Sequence, residues 1–191
     1  KVYDSSVSLM QRDRKTDDIY ISYSTPKTPS RTFIYNLKTK EKKLVKEQII
    51  PSGHNSNNYI VERLECEGHD GRIIPITITR KKTTKLDGSS NLLLYGYGSY
   101  GVVLESSFEK ELPSLLDRGF IYCFAHIRGS KFNGYSWYID GKMLNKKNTF
   151  IDFIECAKYL ISNNYTSPSR LAIWGRSAGG LLIGSVINMA P

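Results

Sequence analysis

No stretch of the sequence approaches the roughly 20 consecutive apolar residues that cross a bilayer, so a membrane span is not expected. Cysteine is scarce: Cys66, Cys123 and Cys156 are odd in number, far apart and set among apolar or helical residues. That pattern excludes a disulfide framework, fits buried reduced thiols and makes a reducing cytoplasm the expected compartment. Only three histidines occur, His54, His69 and His126, and no His or Cys spacing matches a metal-ligand set. Neither a metal nor another cofactor is expected. The opening residues Lys1-Val2-Tyr3-Asp4 offer no initiator methionine and no apolar core of a signal peptide, which reads as an excerpt of a longer chain.

Positive charge is in excess, with a formal net charge of +9 over 191 residues. Much of it lies in one polar stretch, Lys38, Lys40, Lys42, Lys43 and Lys46, without the interleaved aromatic or glycine pattern of a nucleic-acid module. A solvated connector surface is the expectation there, with no nucleic-acid partner.

Two styles of periodicity divide the chain. Residues 19 to 24 and 31 to 36 are short β-type runs separated by Pro26 and Pro29, as in a small antiparallel sheet. Residues 59 to 67 and 72 to 79 alternate and are rich in Ile, Val and Thr, with His69-Asp70-Gly71 as the turn of a hairpin, and a polar loop follows from Lys81 to Ser90. From Asn91 onward, apolar runs of strand length at 92 to 95, 120 to 125 and 171 to 174 alternate with helical periods. The helices are expected at 107 to 118, with Pro113 as a weak point, at about 150 to 161 with Asn148 or Thr149 as cap and Asp152 in the first turn, and at 178 to 189. Alternating strands and helices predict an α/β fold with a doubly wound, mostly parallel sheet.

Gly175-Arg176-Ser177-Ala178-Gly179 satisfies the Gly-x-Ser-x-Gly pattern between an apolar strand and an apolar helix. A sharp strand-to-helix turn would hold Ser177 in a strained backbone conformation, with small residues at Gly175 and Gly179 letting the chain pass its neighbours. The helix starting there aims N–H groups at a reacting carbonyl, and the Ala178 N–H is the first candidate oxyanion donor. The alternative is a plain Gly/Ser turn opening an ordinary helix. A second donor is sought in Tyr95-Gly96-Tyr97-Gly98-Ser99-Tyr100-Gly101, at the carboxyl end of an earlier buried strand. No His-Gly-Gly stretch of the lipase kind is present, so a tyrosine hydroxyl is the substitute, with Tyr95 favoured and Tyr97 and Tyr100 expected to be packed aromatics. The triad's acid and histidine should follow the serine, yet none of the 14 residues after Ser177 is Asp, Glu or His. His54 and His69 are expected in solvated or turn roles and His126 in a structural one.

With these motifs the chain resembles the prolyl oligopeptidase family of serine peptidases, and within it the oligopeptidase B branch. The resemblance rests on Tyr23-Ser24-Thr25-Pro26 through Tyr35-Asn36, Asp70-Gly71 with Pro75-Ile76, Leu92 to Gly101, Ala125-His126-Ile127-Arg128-Gly129, Trp137-Tyr138, Asp140-Gly141-Lys142, Asn145-Lys146, Asn148-Thr149-Phe150, Asp152-Phe153 and Gly175 to Leu182. It implies that residues 1–48 are the remnant of the last β-propeller blade with a connector. Residues 49–191 are then the N-terminal part of an α/β-hydrolase peptidase domain, truncated after the nucleophile helix. It further implies a metal-independent cytoplasmic enzyme that cuts short peptides after Arg or Lys through an acyl-enzyme on Ser177. The oxyanion-assisting tyrosine falls on Tyr95, and the triad Asp and His have no position here, so a complementary C-terminal chain is an implied partner. Isolated, this piece is expected to be inactive. An esterase or lipase of the same fold, and a non-catalytic remnant or scaffold piece, are the alternatives. One departure stands out: the family continues Arg-Gly with further glycines and a glutamate, whereas Ser130-Lys131-Phe132 follow Arg128-Gly129. That puts the conformation of this loop in question.

Overall fold

A computed structural model describes residues 5–10, 15–104 and 107–191, so that the opening Lys1 to Asp4 lies outside the described residues. The first sheet contains β1 (Ser6–Met10), β2 (Asp18–Thr25), β3 (Thr28–Asn36) and β4 (Lys42–Glu47) in antiparallel order β1-β2-β3-β4. Four antiparallel strands in sequence order are the unit of a propeller blade. Pro26 falls in the β2–β3 turn, and Pro29 is tolerated as the second residue of β3. The later part of the basic stretch, expected to be a connector, instead lies from Lys42 onward in β4, whose backbone completes the ladder with β3 across a register shift at Thr32/Phe33. Every β4 side chain is exposed, so the lysines are solvated as expected even though their backbone is paired. Lys42 lies over the Phe33 ring and Lys38 pairs with Asp17.

The second sheet has order β5-β6-β8-β7-β9, from β5 (Tyr59–Glu67), β6 (Ile73–Lys81), β7 (Leu92–Tyr95), β8 (Ile121–Ala125) and β9 (Leu171–Trp174). β5 and β6 form the expected hairpin, and β6 runs antiparallel to β8. The β8-β7-β9 part is parallel, as the intervening helical segments require. Ile74, Ile76 and Ile78 of β6, Leu92 and Leu94 of β7, and Ile121, Cys123 and Ala125 of β8 share one buried core with Phe153, Cys156, Leu160, Leu182 and Val186. Those last five come from α3 (Lys146–Ser162) and α4 (Ala178–Met189), so both helices cover this face. The other face carries α1 (Leu112–Leu116), whose Leu112 and Leu116 pack with Tyr59 and Tyr122. The sheet is thus wound on both sides. The short α2 (Tyr135–Ile139) lies between β8 and α3.

Two helix boundaries differ from expectation. The helix at 107 to 118 shrinks to α1 because Pro113 fits only a first turn, leaving buried Phe108 ahead of it. α3 starts at Lys146, with neither Asn148 nor Thr149 as cap. Those side chains serve the preceding loop instead: Asn148 Nδ2 donates to Asp140 O at 2.9 Å and Thr149 Oγ1 to Gly141 O at 3.0 Å. Asp152 accordingly sits beyond the first turn. β9, apolar in sequence, leaves Ala172 and Trp174 exposed, because they point to the sheet face opposite α3 and α4. All three cysteines are free and buried, as expected. No helix among the described residues is long and apolar enough to cross a membrane.

Candidate active site

Ser177 ends the turn between β9 and α4 with φ 57° and ψ −120°, outside the backbone regions that L-residues populate readily. A residue held this way costs on the order of 1–3 kcal/mol and persists only where its surroundings fix it. Here they do. A Cβ on Gly175 would overlap the Gly179 carbonyl, so Gly175 is required by backbone packing, and one on Gly179 would sit tightly, 3.0 Å from Gly96 O. Gly96 N also donates to Trp174 O at 3.2 Å, tying the end of β7 to the end of β9. Ser177 is exposed, and its hydroxyl bonds to nothing among the described residues. Ala178 is the first helical residue, so its N–H has no acceptor one turn earlier in the helix and is available to an anion.

The two tyrosines exchange the places expected of them. Leu94 faces α3 and α4, so strand alternation sends the adjacent Tyr95 to the opposite face of the sheet. Its ring packs there on Phe124 and Trp174, with centroids 5.3 and 4.6 Å away. It lines a cavity of about 130 Å³ with Pro26, Thr77, Thr79, Tyr122 and Glu109. Burial, then the neighbouring Glu109, raises its phenol pKa. Tyr97, by contrast, lies against the head of α4: a Cβ built on Gly179 would be 3.7 Å from Tyr97 Cδ2 and 3.8 Å from its Cα. Tyr97 is therefore the tyrosine beside the nucleophile turn. Tyr100 is not packed either, being 76% exposed at φ 57°.

No hydrogen bond joins a histidine to Ser177 among the described residues. His126 is buried, its Nε2 is 2.7 Å from Thr77 Oγ1, and its ring stacks on Phe132 at 3.8 Å. Burial, with Arg63 adding to it, pushes its pKa down to about 3, so it is a neutral structural group, as expected. His69 is exposed in the hairpin turn. His54, expected to be solvated, is half-buried: Nε2 bonds Lys27 O at 2.7 Å and the ring stacks on Tyr59 at 5.0 Å. It joins the first sheet to the second. No group of three or more potential metal ligands occurs among the described residues.

Sequence reasoning missed the groups that fix the loops behind the site. Arg128 is 2% exposed and pairs through Nε and Nη2 with Asp152, and through Nη1 with Asp70 at 2.6 Å. Burial opposes its charge, but Asp152 and then Asp70 outweigh that and raise its pKa. Arg128 stands three residues past the buried β8, and nothing local in the sequence marks which carboxylate it meets, although burying it without one would be costly. The loop that follows is well defined. Gly129 and Gly134 take positive φ, at 94° and 91°, while Ser130 fits as an ordinary residue whose Oγ donates to Ile127 O at 2.9 Å.

The model of the prolyl oligopeptidase family matches residues 106–191. The chain is 44% identical over 177 residues to dipeptidyl aminopeptidase BI of Pseudoxanthomonas mexicana, covering 92% of this chain and 24% of the relative. It is 40% identical over 182 residues to protease 2 of Moraxella lacunata, covering 95% of this chain and 26% of the relative. The fold superposes on oligopeptidase B from Leishmania major with a TM-score of 0.91 and 36% identity, over 100% of this chain and 27% of that structure. The chain spans about a quarter of the length of the curated relatives it matches.

Proposed function

Because this chain belongs to the prolyl oligopeptidase family, we propose that it is the nucleophile-bearing part of a serine oligopeptidase that cleaves short peptides through an acyl-enzyme on Ser177. The observation that carries the reading is the strained, exposed Ser177 at the head of α4, between Gly175, which admits no side chain, and the tightly packed Gly179. In the proposed reaction, Ser177 Oγ attacks the scissile carbonyl carbon and its proton passes to a histidine base. The carbonyl oxygen becomes an oxyanion held by the Ala178 N–H and by the Tyr97 hydroxyl, which replaces Tyr95 in this role because of its place beside α4. Collapse expels the amine, which takes the proton from the base, and water then releases the acyl group by the same steps in reverse. The base comes from outside this chain, within the part of a relative-length protein that it does not span. Alone, the 191 residues are inactive.

Cleavage after Arg or Lys is supported by the likeness to oligopeptidase B, and a reducing cytoplasmic setting by three buried free thiols. Absence of a His-Gly-Gly stretch speaks against an esterase or lipase. The test is labelling by a fluorophosphonate probe of a relative-length enzyme containing this chain. Labelling should disappear in Ser177→Ala; labelling at the unaltered rate would overturn the assignment.

A further inference from the structure

The turn that carries Tyr97 is held by backbone contacts so close that side chains are excluded. Gly98 has φ 66°, and a Cβ on Gly129 would overlap the Gly98 carbonyl, while one on Gly141 would overlap Gly129 N. Gly101 N donates to Gly129 O at 2.9 Å. One side chain closes this stack. Lys146 Nζ lies 2.5 Å from Gly98 O and 2.9 Å from Ser99 Oγ.

Beyond its two hydrogen bonds and the Phe150 ring, whose centroid is 5.8 Å from Nζ, little about stability favours a cation in that place. Lys146 is the first residue of α3, where the positive end of the helix dipole repels it and no acidic residue stands in the first turn. It is half-buried, and no carboxylate lies within 4 Å among the described residues. Burial lowers its pKa accordingly. An ordinary lysine at a helix start would extend into water, and departures from local rules of this kind collect at functional sites.

We infer that Lys146 is a positioning residue for the oxyanion site: its ammonium group clamps Gly98 O and Ser99 Oγ and so holds the Tyr97 turn against the head of α4. This rests on the reading of Ser177 and Tyr97 given above. The clamp touches neither substrate nor the reacting atoms. It acts by fixing one peptide group next to the tyrosine that does, and charge-assisted donors on a carbonyl are stiffer and stronger than neutral ones. Small misplacements of an oxyanion donor are costly in rate, which is where the clamp has its effect.

A double-mutant cycle with Tyr97→Phe and Lys146→Met, in a relative-length enzyme containing this chain, tests the inference with an Arg-containing fluorogenic dipeptide. Lys146→Met should lower kcat by roughly 10-fold with KM changed by less than about 2-fold. Tyr97→Phe should then cost clearly less in the Lys146→Met background than alone, because the two act through one group. Unchanged kcat in Lys146→Met, or effects that simply multiply, would overturn the clamp. Should Lys146→Met not fold, Lys146→Gln, which keeps a neutral donor, runs the same cycle with the same criteria. Ser177→Ala in parallel separates the two readings: if it is inactive while the cycle shows no coupling, only the Lys146 role falls.

Discussion

Arg128 and Asp152 form a charge pair in which neither side chain reaches solvent, the guanidinium Nε lying 2.9 Å from one carboxylate oxygen while Nη2 bonds the other. The Arg128 backbone N–H donates to the same carboxylate at 3.0 Å, so Asp152 on α3 fixes both the side chain and the chain path after β8. Removing one partner of a buried pair leaves an uncompensated charge, which costs about 3–5 kcal/mol. Asp152→Asn should therefore lower the urea midpoint sharply, whereas Asp70→Asn, at the 35% exposed end of the network, should lower it much less. Equal effects of the two substitutions would show that the network is not ordered by burial.

The tyrosine pair makes a directional prediction. In a relative-length enzyme, Tyr97→Phe should reduce kcat by roughly 10²-fold with little change in KM, and Tyr95→Phe should reduce it far less. Tyr95 loses only a hydroxyl at the rim of an aromatic stack on the opposite sheet face. A larger loss in Tyr95→Phe would return the oxyanion role to the first tyrosine of the motif.

His126 sets an acid limb of stability. Its folded pKa of about 3 lies below the ordinary 6.5, so between those values the unfolded chain binds a proton that the folded one does not. Stability is then full above about pH 6.5 and declines as pH falls toward 3, by up to about 1.4 kcal/mol per pH unit. His126→Gln, which can still meet Thr77, should flatten the decline between pH 7 and 4.5, a window above the titration of most carboxylates. Fluorescence of Trp137, whose Nε1 donates to His126 O at 2.9 Å, reports the urea transition. Identical slopes in the two proteins would rule the contribution out.

The 191-residue polypeptide by itself should show no Ser177-dependent turnover of an Arg-containing fluorogenic dipeptide. The hydroxyl needs a base, and His54, His69 and His126 are engaged on Lys27 and Tyr59, placed in a hairpin turn, and bonded to Thr77, respectively. Mixing with a polypeptide that supplies the remaining part of a relative-length hydrolase domain is the arm expected to restore it. Turnover by the chain alone that Ser177→Ala abolishes would contradict the proposal.

What the sequence determined by itself was whatever is encoded in short-range pattern. β7, β9 and α4 were legible to the residue, because apolar runs and a Gly-x-Ser-x-Gly junction are local signals of burial and of a turn that excludes Cβ atoms. The β5–β6 hairpin and the free, buried cysteines were legible for the same reason. The strand status of Lys42–Glu47 was not, since only pairing with β3 makes six exposed residues extended. Nor could sequence assign the tyrosines: Tyr95 and Tyr97 are two residues apart, on a strand that ends between them. Strand alternation still governs the first, while the second follows the turn toward Gly179. Lys146 and the Arg128–Asp152 pair were equally hidden, because their partners are 48 and 24 residues away. Which groups meet across such separations is decided by the packing of α3 against the sheet and its loops, and no local propensity carries that information.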